Sequence, residues 1–247
     1  MIAWLGSGDL VLVAAIVGFA ACAQMVSGFG FALMAVPMMG LVIDLKTAVV
    51  VSTICGTASN TYQAIFDRRH RDDELVRVLL LASAAGMPLG FLVLKHVAVS
   101  TLQIAIGALV LVALVAVLRR APGTKKSASS VDWIAGFLSG ILATSTSTNG
   151  PPLVLLLRSR GLSPEVFRAT INTVFSGVAV LSICLFAIGG RVTSEVLIGA
   201  VVAVPGLAVG MALGARLRGA LPDNVFWRLV AVVLAATAVS SIASGLF

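Results

Sequence analysis

Apolar residues fill this chain in eight long runs separated by short polar stretches, and two of the runs are broken in the middle. Six runs are continuous, roughly 47–66, 75–95, 100–118, 166–189, 193–215 and 224–246. Each is long enough to cross a bilayer, which takes about 20 residues as helix. The other two, 10–43 and 133–157, are interrupted. The first contains Ser27-Gly28-Phe29-Gly30-Phe31-Ala32-Leu33 ahead of Pro37. The second contains Ser145-Thr146-Ser147-Thr148-Asn149-Gly150-Pro151-Pro152. Each of these runs is too long for one straight helix and barely long enough for two. Glycine, proline and small hydroxyls break an apolar segment only where protein or a water-filled cavity satisfies the freed backbone groups. Breaks at corresponding places in two halves point to a transporter's binding site.

Composition makes this an integral membrane protein. Hydrophobic residues are 59% and charged residues 11% of the 247, against roughly 25% charged in a soluble domain. Mean hydropathy is +1.09. No loop between runs exceeds about 14 residues, too few for a separate soluble domain of at least about 50. The net charge of +7 does not indicate nucleic acid, because the basic residues fall in short clusters between runs, which is how orientation is encoded. Cys22, Cys55 and Cys184 lie inside apolar segments and read as small buried hydrophobes. No metal-ligand spacing exists, and His70 and His96 stand alone in loops. The N-terminus lacks a basic leader region, and Asp9 precedes the apolar stretch, so that stretch reads as part of the mature protein.

Charge decides the topology. If each broken run crosses once, the basic residues divide nine to eight, with no orientation signal. If each returns to the side it entered from, Lys46, Lys95 and Arg191 face one side and the other fourteen of the 17 face the opposite side. That bias is what the positive-inside rule expects. The reading is six spanning helices plus two broken or re-entrant helical hairpins, with both termini outside (periplasmic). The segments 67–74, 119–131, 158–165 and 216–223 then lie in the cytoplasm. Charge does not separate a re-entrant hairpin from two short crossings, although short arms and broken tips favour re-entrance. Trp4, Trp133 and Trp227 fall at expected interfacial depths.

The same bookkeeping starts one half outside and the other inside, as inverted copies. Gly86-Met87-Pro88-Leu89-Gly90 precedes Gly206-Leu207-Ala208-Val209-Gly210 by 120 residues, Cys55-Gly56 precedes Ser176-Gly177 by 121, and Gly18-Phe19 precedes Gly136-Phe137 by 118. The expected organisation is a first repeat over 1–120, a cytoplasmic linker over 121–131 and a second repeat over 132–247. Gly86/Gly90 and Gly206/Gly210, four apart on a helix face, read as packing residues.

All ten carboxylates lie in loops or at run ends. This argues against a carboxylate proton relay, a cation pathway and hydrolytic catalysis. No catalytic set, metal site or cofactor is indicated. The interior offers neutral donors instead: Gln24, Ser27, Gly28 and Gly30 at the first tip, and Ser147, Thr148, Asn149, Gly150 and Pro151 at the second. The helices that follow add Ser52, Thr53 and Asn60, and Asn172, Thr173 and Ser176. Free N–H groups at a broken helix's new N-terminus favour negative charge. Such a set suits a small oxyanion that must bind and then leave. The competing reading is that the hydroxyls merely allow close helix packing. Arg168 is placed at the inner mouth, where it either snorkels to headgroups or draws anions in.

Gly-Phe-Gly-Phe-Ala followed by Pro37 resembles the first motif of the TauE/SafE sulfite-exporter permeases. Gly136-Phe137-Leu138-Ser139-Gly140, Asn149-Gly150-Pro151-Pro152 and Phe167-Arg168-Ala169-Thr170 resemble the second-half motif, and the likeness runs from about 11 to 245. It implies a secondary transporter of a small sulfur-containing or organic anion (sulfite, thiosulfate, sulfonate or sulfoacetate) in the inner membrane of a bacterium-like cell. Phe29 and Phe31 stand where the family often has small residues, and their rings either line the site or shield it from water. Expected partners are the anionic solute and the bilayer, with proton or ion coupling left open and no oligomeric state indicated. A passive anion channel of the same architecture and a non-transporting membrane scaffold are the alternatives.

Overall fold

The computed structural model describes residues 7–98, 100–101, 104, 107–108, 111, 129–218, 225, 228, 231–232, 235–236, 238–239 and 242–243. The expected spans 100–118 and 224–246 and the linker 121–131 lie mostly outside these residues, as do Trp4 and Trp227. Among the described residues all regular structure is helical. The first half contains α1 (Ser7–Ser27), α2 (Phe31–Met39), α3 (Leu45–Phe66) and α4 (Asp73–His96), with a short 3-10 turn at Arg68–His70. The second half contains α5 (Ser129–Thr146), α6 (Gly150–Ser159), α7 (Pro164–Ile188) and α8 (Ser194–Arg218). Both halves thus run long helix, break, short helix, two long helices.

Helices α1, α4, α7 and α8 are long and apolar enough to cross a membrane. Helix α3 has 22 residues, but a stripe of Ser, Thr, Asn and Gln dilutes its apolar content. The arms of the broken runs are unequal: 21 and 9 residues in α1 and α2, 18 and 10 in α5 and α6. The longer first arm alone reaches bilayer length, which the run length 10–43 did not reveal.

Sequence chemistry fixes the helix starts. Asp44 accepts from Thr47 N–H (3.0 Å), Asp72 from Leu75 N–H (3.0 Å) and Ser163 from Val166 N–H (3.4 Å), capping α3, α4 and α7. A side-chain cap satisfies a backbone donor that the helix itself leaves unpaired.

Two tight helix pairs hold the halves together. Glycine stripes let backbones touch, which is how helices associate where surrounding lipid is as apolar as the side chains. A Cβ on Gly206 would fall 1.9 Å from the carbonyl oxygen of Ala14, and one on Gly210 would fall 2.0 Å from that of Gly18. These contacts advance together along α1 and α8, so the two helices run parallel. Helices α4 and α5 pair likewise: a Cβ on Gly86 would fall 2.1 Å from the oxygen of Phe137, and one on Gly90 2.1 Å from that of Ile141. Helix α3 packs on α7 and α8, and α4 packs on α7 as well as α5. Exchanging α1–α4 with α5–α8 leaves this pattern of partners unchanged.

Polar contacts collect particular helix ends at one end of the bundle. Arg160 donates through Nη2 to both oxygens of Asp132, at 2.6 Å each, joining the end of α6 to the start of α5. The second broken run therefore returns to the end at which it began. Arg218 pairs with Asp67, joining the ends of α8 and α3. Asp72 N–H donates to Thr170 Oγ1 at 3.1 Å, joining the start of α4 to the early turns of α7. Arg68, Arg69, Arg71, Arg158, Arg160, Arg216 and Arg218 sit on these ends, which make up the basic end of the molecule.

Candidate functional site

Each break begins with a residue in left-handed backbone. Helix α1 ends as Gly28 adopts φ +84°, and α2 starts after Gly30 at φ +94°. Helix α5 ends as Ser147, a non-glycine, adopts φ +60°. The left-handed region is open to glycine and costly for residues with a Cβ, so Ser147 is held there by its surroundings. Its hydroxyl lies 2.8 Å from Thr53 Oγ1 on α3, and Thr146 and Thr148 hydroxyls meet at 2.7 Å. The first tip is braced from α7: Asn172 Nδ2 donates to Gly28 O at 2.9 Å and to Arg168 O at 2.8 Å.

The tips meet each other. A Cβ built on Gly150 would lie 3.5 Å from the Phe29 ring and 3.7 Å from a Leu33 methyl. The first tip reaches the early turns of α7 and the second the early turns of α3, so the two arms overlap in depth. Between them is a cavity lined by residues of both tips and of α3 and α7. Its space for the centres of water-sized spheres is about 40 Å³. One water needs roughly 10–15 Å³ of occupied volume, so the cavity takes several waters or one compact ion. Among the described residues no Asp, Glu, Lys, Arg or His lines it.

The helix starts facing this cavity differ from the others. Neither Gly30 nor Asn149 makes a side-chain cap bond. The first N–H groups of α2, on Phe31, Ala32 and Leu33, have no acceptor in their own helix. In α6, Pro151 and Pro152 carry no N–H, which leaves Gly150 as the donor of the first turn. Among the described residues, Ser52 contributes a buried hydroxyl without a hydrogen-bond partner, and Gln24 a buried Oε1 in the same condition. Gln24 Nε2 donates to Asn60 Oδ1. The arrangement gathers backbone dipoles and the Ser52 hydroxyl around one small space, with Gln24 Oε1 left as an acceptor.

Nine of the residues expected from sequence line the cavity: Gln24, Gly30, Ser52, Thr53, Asn60, Ser147, Thr148, Asn149 and Gly150. The others lie elsewhere. Ser27 hydroxyl reaches the carbonyls of Ala23 (2.8 Å) and Phe29 (2.7 Å), so it closes the break from within. Gly28 packs on the Arg168 side chain and Pro151 is buried in the first turn of α6. Asn172 holds the first tip, Thr173 donates to Ala169 O at 2.7 Å, and Ser176 meets Thr61 at 2.7 Å. Arg168 lies against the first tip, 3.8 Å from Glu165, and is not in the cavity wall. The phenylalanines divide the two roles between them. Phe31 lines the cavity, and Phe29 is buried edge-on against Phe167 at 6.2 Å.

Sequence reasoning passed over Ala32, Leu33, Gly56, Ala143, Phe175, Val178, Ala179 and Ser182, which also line the cavity. The last four follow the i, i+3, i+4, i+7 spacing of one helix face, a signal that was present in α7.

A model of the sulfite exporter TauE/SafE family matches residues 12–241. The chain belongs to this family. It is a transmembrane permease of an anion-transporting family, and its apolar helices make it a multi-pass membrane protein. No curated protein and no solved structure matches it significantly. The segments 27–33 and 145–152, both within the matched residues, are the two that meet at the cavity.

Proposed function

We propose that this protein is a secondary transporter that moves a small oxyanion of the sulfite class by alternating access. The observation that carries the reading is the pair of uncapped helix starts facing one uncharged polar cavity, while α3, α4 and α7 spend side chains on capping theirs. Unpaired N–H groups and the helix dipole attract an anion. The lack of a fixed counter-charge keeps binding weak enough for release. Limited volume favours a compact ion over a long organic acid.

In this reading the halves 1–120 and 132–247 are inverted repeats joined by 121–131. Six helices span, and the two broken runs are hairpins entering from opposite sides. The matched helix partners, the return of α6 to the start of α5 and the gathering of arginines at one end support it. That basic end faces the cytoplasm by the positive-inside rule, which puts both termini outside in an inner membrane. Rocking of the halves about α3 and α7 exposes the cavity to each side in turn.

Sulfite at a hundredfold excess over its Kd is expected to stabilise the detergent-solubilised protein by about 2.7 kcal/mol. Ser52→Ala is expected to weaken binding about tenfold, the loss of one good hydrogen bond to an ion. A thermal-shift titration comparing sulfite, thiosulfate and sulfoacetate reads both. No shift with any of these anions contradicts the reading.

A further inference from the structure

The buried polar face of α3 does not stop at the cavity. Ser52, Asn60, Gln63 and Asp67 recur at helical spacing along one side, with Ser59 beside them, and all are buried. Ser52 and Asn60 line the cavity, Ser59 lies level with Asn60 outside its wall, and Gln63 and Asp67 lie beyond it, toward the basic end. Gln24 of α1 touches this stripe at Asn60, and Arg218 of α8 closes it at Asp67. From Asn60 to Asp67 the helix rises about 10 Å.

Gln63 stands midway on that leg and is 0% exposed, yet neither Nε2 nor Oε1 has a hydrogen-bond partner among the described residues. Ser59 is also 0% exposed, and its hydroxyl is likewise unpartnered. A polar side chain buried for packing alone normally finds a partner in the protein. Two successive turns of α3, at Ser59 and Gln63, instead carry polar groups with no partner among the described residues, which water or solute would satisfy. At the far end Arg218 pairs with Asp67, both side chains nearly buried, and its guanidinium lies 5.9 Å from the centre of the Phe66 ring.

Resting on the transport reading, we propose that the Ser59–Gln63–Asp67 face is the leg of the solute path between cavity and basic end. Gln63 is a second station for the anion, held through its amide N–H groups, and the Arg218–Asp67 pair is the latch. An anion arriving at Gln63 competes with Asp67 for the Arg218 guanidinium, so passage itself opens the latch. The bidentate geometry available to guanidinium suits carboxylate and oxyanion alike.

The test is thiol labelling of Gln63→Cys in proteoliposomes with a membrane-impermeant methanethiosulfonate, applied from each side and located by mass spectrometry. Native Cys55, buried on α3 outside the cavity wall, is the internal reference. Labelling from the basic-end side, slowed by sulfite and accelerated about tenfold in the Asp67→Asn/Arg218→Gln background, supports the path and the latch. Labelling no faster than at Cys55 in both backgrounds, or from the opposite side alone, overturns them. In parallel, Gln63→Leu is expected to slow sulfite counterflow about tenfold while leaving the sulfite thermal shift in place; counterflow at the wild-type rate overturns the second station. A wild-type protein showing neither shift nor counterflow defeats the transport reading itself, and the labelling still decides whether the leg opens to water.

Discussion

Gly140→Ala is expected to destabilise the protein by about 3 kcal/mol, the upper end of what overpacking costs. The added Cβ would sit 1.9 Å from the Ser83 carbonyl oxygen and 2.7 Å from its carbon, both backbone atoms of α4. No rotamer change relieves that overlap; the two helices must separate. Separation also loosens the contacts of Gly86 and Gly90 along the same seam and the Thr144 hydroxyl bond to Met87 O at 2.7 Å. Gly8→Ala is the matched control, because a Cβ there meets nothing within 4 Å, and alanine is the better helix former by about 1 kcal/mol. Thermal unfolding in detergent, followed by circular dichroism, reads both. Equal midpoints for Gly140→Ala and Gly8→Ala would mean that the parallel α4–α5 contact is not close.

The second large effect concerns the Arg160–Asp132 pair, whose side chains are 16% and 10% exposed. Arg160→Leu alone, or Asp132→Leu alone, is expected to cost about 3–5 kcal/mol, because each strands a buried charge. The double substitution is expected to cost less than either single one, since it removes both charges together. The pair clamps the end of α6 to the start of α5, so its loss also frees the second hairpin at its base. Additive costs in the double-mutant cycle would mean that the two side chains do not act on each other.

Much of this architecture was legible in the residues. The breaks at Gly28–Gly30 and Ser147–Gly150 were visible because few residue types tolerate such backbone within an apolar run. Helices α3, α4, α7 and α8 were visible because their runs are continuous and polar ends bound them. Less legible was the use of each polar side chain. Asn172, Thr173 and Ser176 look like ligands in sequence, yet bonds to Gly28, Ala169 and Thr61 occupy them. Spacing along one helix does not reveal which neighbour its face will meet. Ser27 shows the same limit, since a hydroxyl that caps its own turn and one that faces a cavity are alike in sequence. The arm lengths were less visible, because α1 begins at Ser7, ahead of the apolar run, and α2 stops at Met39, short of its end.

The central claim is that the solute passes between the two tips, and counterflow of radiolabelled sulfite in proteoliposomes bearing Gly150→Leu tests it most directly. A Cβ at Gly150 meets its nearest neighbours at 3.5 Å or more, so the backbone accepts it, while a leucine side chain fills the space beside Phe29, Leu33 and Phe175. The account predicts at least about a tenfold loss of saturable counterflow with the unfolding midpoint preserved. Undiminished flux through the leucine variant would contradict it.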